Sequence, residues 1–220
     1  MIKIIDGIID EHKYNASKYK IMWILKEGNV SDEDKVNDVA INLCAGFSSG
    51  HHRKNALSVP TFRKMIYATY GIIHPETEWS DVPFANEGAY EAILQVAYIN
   101  INKYPGGSVS NSDEIKKAYT KNKQVLLDQI KECNPEIIIF GGTWSYFETA
   151  DLVSIGWDIS LCETKYADES HIGTTTTYFT VSPNRLCISA YHPAYPRISD
   201  KDYWSEIKTA VKKWEQETNN

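Results

Sequence analysis

The chain has few cysteines, no long apolar run and no excess of positive charge, and each shortage argues against a class of protein. Its four cysteines, Cys44, Cys133, Cys162 and Cys187, lie far apart, with no Cys-x-x-Cys pair and no histidine at zinc-ligand spacing. That spacing argues against a disulfide framework and against a four-cysteine metal cluster. Three of the four sit among apolar residues, where a reduced cysteine behaves as a small hydrophobe. No stretch reaches the roughly 20 apolar residues that a membrane-crossing helix needs. The opening "MIKIIDGIIDEHK" carries Asp6, Asp10 and Glu11 and lacks a small-residue cleavage site, so it does not read as a secretion signal. The expected location is the cytoplasm. The net charge of −6 argues against indiscriminate binding to nucleic acid, although phosphate binding depends on local Lys and Arg rather than on the whole-chain sum. Internal repeats and low-complexity tracts are absent as well.

What remains is an ordinary globular composition, 42% hydrophobic and 24% charged, in a length that suits one sizeable core. A single domain over residues 1–220 is expected. "KIMWILK" (20–26) is a short apolar run that reads as a buried strand. Ser31 opens "SDEDKVNDVAINLCAGF", with Asp34 three residues on, and Val36, Val39, Ala40, Leu43 and Cys44 supply a helical stripe. "FSSGHHRKN" reads as an exposed loop with scattered charge, and Pro60 opens a second helix. "AYEAILQVA" has helical propensity and merges into "QVAYIN", a second strand ending near Asn100, after which "INKYPGGSVSNS" reads as loop.

Ser112 is the expected cap of the clearest helix, whose apolar residues run from Ile115 to Cys133 at helical spacing. "PEIIIFGG" is the clearest strand, apolar on both faces as in a parallel sheet, and "TWSYFETADLV" starts a helix after it. "GTTTTYFTV" and "RLCISAY" flank a turn and suggest an antiparallel addition. A last helix begins at Ser199 or Asp200, with Tyr203, Ile207, Val211 and Trp214 on one face. The alternation of strands and helices implies a three-layer α/β/α fold around a central, mostly parallel four-stranded sheet.

In such folds ligands gather beyond the carboxyl ends of the strands. That rule selects "KEGN", "NINKYPGG", "GGTWS" and "HPAYPR". Taken in order, "IMWILKEGN", "AYININKYPGG", "NPEIIIFGGTW" and "YHPAY" resemble the strand-end motifs of the uracil-DNA glycosylase superfamily, over residues 21–198. The resemblance implies hydrolysis of the N-glycosidic bond of uracil or a related modified pyrimidine in DNA, reached by base flipping. It implies His192 as donor to the departing base, Glu27 as the carboxylate that positions water, and Asn100 as the reader of the base edge. Phe47 and Phe84 are both candidates for the stacking aromatic, and Lys26, Lys103 and Arg197 are candidates for phosphate contacts.

The chain departs from the family where Gly28 and Asn29 replace the usual Pro and Tyr or Gly, which argues against strict selectivity for uracil. Tyr104 stands at a cysteine of the family's iron–sulfur branch, so no cluster and no other cofactor is expected. The expected partner is DNA, met by a monomer and not at a membrane. Each residue also has a plainer reading. Asn100 can end a strand by bonding to backbone, His192-Pro193 can be a turn, and Glu27 can be a solvated acid. The alternative function is therefore a catalytically silent or divergent protein of the same fold that binds a nucleobase or nucleic acid.

Overall fold

The computed structural model describes residues 3–29, 40–107, 110–168, 176–182 and 184–218. In chain order its strands are β1 (Ile4–Ile5), β2 (Gly7–Ile8), β3 (Ile21–Asn29), β4 (Ile41–Asn42), β5 (Val96–Gly106), β6 (Ile137–Gly141), β7 (Lys165–Tyr166), β8 (Thr177–Ser182) and β9 (Arg185–Ala190). Its α-helices are α1 (Glu11–Ala16), α2 (Leu43–Ser48), α3 (Pro60–Ile73), α4 (Tyr90–Ile93), α5 (Ser112–Cys133), α6 (Thr149–Ser154) and α7 (Asp200–Thr218).

Alternate residues of the central strands bury into two separate cores, and this is what builds the layers. Ile21, Trp23 and Leu25 of β3 join Tyr98, Ile139 and Ile188 against α3 and α7. Met22 and Ile24 join Ile99, Ile138, Phe140 and Cys187 against α5 and the segment from Phe147 to Trp157. A strand buried on both faces must be apolar at consecutive positions, which is why "IMWIL" and "IIIF" are unbroken runs. Trp23 sits wholly inside and satisfies its indole N–H by donating to Thr69 Oγ1 at 3.0 Å. Among the described residues, no helix is long and apolar enough to cross a membrane.

The main sheet runs β2-β5-β3-β6-β9-β8-β7. β5, β3, β6 and β9 pair in parallel, whereas β2, β8 and β7 join antiparallel. The mostly parallel α/β arrangement matches the sequence expectation, but the sheet is wider than four strands. β1 and β4 form a small parallel pair of their own. From β3 the chain passes to β5 on one side, then returns to β6 on the other. The switch point, where ligands collect in open α/β sheets, lies between β3 and β6.

Several boundaries differ from the sequence reading, each for a local reason. β3 and β5 both run past their expected ends, because each supplies the other's ladder as far as the pair Asn29 and Gly106. Between that pair and Glu27–Asn102, Gly28 alone stands opposite Lys103, Tyr104 and Pro105. Pro105, which has no N–H to give, falls inside this irregularity and leaves the ladder intact.

The expected helix from Ser31 lies largely outside the described residues, Val36 and Val39 included. Residues Ile41–Asn42 form strand β4 instead, and α2 begins only at Leu43. Asn42 accepts the Ala45 N–H at 2.9 Å from an extended backbone, so no helix runs through it. Residues His51–Asn55, expected as loop, form a 3-10 helix. The helix expected directly after "PEIIIFGG" is preceded by a 3-10 turn, Trp144–Tyr146. The cap of α5 is Asn111 rather than Ser112, with Oδ1 accepting from Asp113 N and Glu114 N. Ser199 caps α7 by accepting from Asp202 N at 3.0 Å.

Candidate functional site

At the carboxyl edge of the sheet the loop after β9 is braced from several sides. Gly142 N–H donates to Ala190 O at 2.8 Å, tying the end of β6 to the end of β9. Thr143, fully buried, donates its hydroxyl to Ile24 O at 2.8 Å and ties β6 to β3. Lys64 Nζ, from α3, donates to Tyr195 O at 2.8 Å and Ile198 O at 2.7 Å. Tyr203 of α7 donates to Tyr191 O at 2.9 Å, and the Tyr191 and Tyr195 rings stack at 4.4 Å. Inside the loop Tyr195 N–H returns to His192 O at 2.8 Å.

This closeness accounts for the glycine pair before the loop. Gly142 has φ +69, and a Cβ there would stand 3.0 Å from His192 N. A Cβ on Gly141 would run into Leu25 and lie 3.1 Å from Pro193 Cδ. Only glycine combines that backbone conformation with that approach.

The bracing defines the state of His192. Ala194 N–H donates to His192 Nδ1 at 3.1 Å, so the neutral ring carries its proton on Nε2. Burial first, then the charges of Lys26 and Lys64, pull the imidazole pKa from 6.5 to about 4. At neutral pH His192 is therefore an uncharged donor. No group among the described residues accepts from Nε2.

Lys26 and Glu27 sit on the part of β3 that rises past the end of β6. Lys26 is half-buried, has no ion-pair partner among the described residues and is near enough to act on His192. Glu27 is half-buried and accepts from Asn102 Nδ2 at 3.2 Å, while its chain lies over Gly106. Asn102 in turn accepts from Tyr104 N at 3.2 Å, so the carboxylate is held by an oriented amide. Arg197 is exposed on the His192 loop without a partner among the described residues.

Three of the other candidates are elsewhere. Asn100 does not end a strand: it lies within β5, level with Leu25 and fully buried. Asp6 Oδ2 accepts the Asn100 backbone N–H at 2.7 Å and its Nδ2 at 3.5 Å, while Asn100 Oδ1 accepts from Tyr98 OH at 3.3 Å. β2 pairs with Ala97 and Tyr98 only, so the Asp6 carboxylate takes up the next edge N–H where that strand stops.

Lys103 is not a free phosphate contact. Its ammonium is buried between Asp6 Oδ1 at 2.7 Å and Gln129 Oε1 at 2.6 Å. Burial lowers its pKa against the pull of Asp6. Phe47 is fully buried and edge-on to His52, Phe62 and Tyr98, so it is a core ring with no face presented to a ligand. The structure thus groups Lys26 with His192 and leaves Asn100, Lys103 and Phe47 in the packed interior.

Asp6, Lys64, Asn102, Gln129 and Thr143 were not singled out from the sequence. Asn102 was legible in principle, two residues beyond Asn100 on the same strand face; the others act through partners distant in the chain. All four cysteines are free, and no group of three or more His, Cys, Asp or Glu among the described residues is placed to hold a metal ion. Comparison with protein-family models and with curated proteins gives no match.

Proposed function

We propose that the chain is an N-glycosylase that hydrolyses the bond between deoxyribose and a uracil-like or otherwise modified pyrimidine in DNA. The observation that carries this reading is the neutral His192, whose Nε2–H has no acceptor among the described residues, on a braced loop at the switch point. Cleavage leaves negative charge on the departing base and positive charge on the sugar. A preorganised neutral donor aimed at the base oxygen stabilises the first, and Glu27, oriented by Asn102, suits the positioning of water and the stabilisation of the second. Water supplies the hydroxyl to the sugar, and the base leaves as an anion that solvent protonates. Lys26 and Arg197 suit phosphates on either side of the extruded nucleotide. Asn100 and Phe47 have no place in this version of the site, since both are buried and engaged within the fold.

Incubation with single-lesion oligonucleotides, single- and double-stranded, followed by alkali, tests the proposal. Strand cleavage at uracil or hydroxymethyluracil is expected, and intact strands at both would end it. The burial of Asn100 and Phe47 favours a second reading, a binding protein of this fold that performs no chemistry. It predicts a change in fluorescence anisotropy with a lesion-bearing duplex and no turnover.

A further inference from the structure

We infer that Lys64 is a positioning residue for His192, tying down the loop that carries the imidazole and setting its charge state from beneath. This rests on the reading of His192 as an uncharged donor. Lys64 is only 4% exposed, and lysines that deep ordinarily hold a carboxylate. Here the ammonium instead meets two neutral carbonyls, Tyr195 O and Ile198 O, both in the His192 loop. The nearby carboxylate, Asp200, is taken by Arg63 at 2.7 Å. A positive charge with no carboxylate in contact among the described residues thus stands under a loop whose function depends on one ring staying unprotonated.

The groups that face this arrangement come from every element packed on it. Lys26 reaches His192 from β3 and Lys64 from α3, and both oppose a proton on the ring. Gly142 closes the β6 side with backbone alone. On α7, Tyr203 holds Tyr191 O, and Asp200 acts on Lys64 with the opposite sign to Arg63 of α3. A neutral donor would suffice to staple two carbonyls. A cation also adds to burial in opposing a second proton on the imidazole.

The test needs no substrate. Full-length chain with 15N-labelled histidine is titrated by NMR, His192→Gln supplying the assignment, in wild type, Lys64→Met, Lys64→Gln, Lys64→Arg and Lys26→Gln. The wild-type ring is expected to titrate near pH 4. Lys64→Met and Lys64→Gln are expected to move the midpoint up toward 6.5, and Lys64→Arg to leave it low. Exchange of the Ala194 and Tyr195 amides should quicken at least about tenfold in Lys64→Met, which frees the loop. Should the methionine variant not fold, the glutamine variant reports the charge effect by itself. An unmoved midpoint in the neutral variants, or a rise in Lys64→Arg as large as theirs, overturns the inference. Lys26→Gln is expected to raise the midpoint as well, while leaving the Ala194 and Tyr195 amides protected. A chain that shows these shifts but cleaves no oligonucleotide would lose the proposed reaction and keep this device.

Discussion

His192 and Lys103 were both singled out from the sequence, and they fare differently for a physical reason. His192 precedes a proline and comes after a strand, so its backbone is constrained locally and its place at a strand end can be inferred from neighbours. Lys103 is claimed by Asp6, 97 positions away, and no local pattern announces that pairing. Replacing His192 with Gln is expected to lower any glycosylase rate at least about tenfold while the chain stays folded, a typical loss for one preorganised donor. Asp6→Ala leaves the Lys103 ammonium buried without its carboxylate, and a cost of about 3–5 kcal/mol is expected in urea unfolding. Phe47→Ala should likewise cost about 3–5 kcal/mol, because it opens a hole in an aromatic cluster rather than removing a ligand contact.

Among the elements, those whose signal is burial on both faces were the most legible. β6 and the central part of β3 are apolar at every position, and α7 shows its buried stripe at helical spacing. The ends of β3 and β5 were not legible, because Lys26 to Asn29 and Ile101 to Gly106 look like loop taken one segment at a time. They become strand only because each lies beside the other, a pairing across 75 positions at Glu27 and Asn102. The glycines after β6 were visible, but the need for them was not, since it arises from a loop about 50 residues later. Gly142→Ala is expected to cost about 1–2 kcal/mol through its left-handed backbone. It should also push the His192 backbone outward. A lowered thermal midpoint together with a displaced His192 resonance would check both effects.

For the whole molecule, the α/β class could be read from the alternation of elements, whereas the three antiparallel strands flanking the parallel four depend on short segments with little pattern. The half-buried His192 gives the folded chain a pH response. In the unfolded chain His192 takes up a proton below about pH 6.5, but in the fold it resists until about pH 4. Between those values the unfolded state binds more protons, so stability falls as the pH falls. The loss is on the order of 3 kcal/mol once the lower value is reached. Above 6.5 both states are neutral and the contribution is flat. Urea midpoints measured from about pH 7 to 4 should therefore drop more steeply for wild type than for His192→Gln.

The unequal strand lengths give the carboxyl end of the sheet a step. β3 and β5 continue about four residues beyond the end of β6, roughly 13 Å of extra height at strand spacing. The switch point consequently has a tall wall on one flank and a low sill on the other, where the His192 loop lies. A rod-like polymer cannot lie flat across such an edge in both directions. If the proposed partner is right, it comes in over the sill, and two strands that outgrow their neighbour set the side of approach.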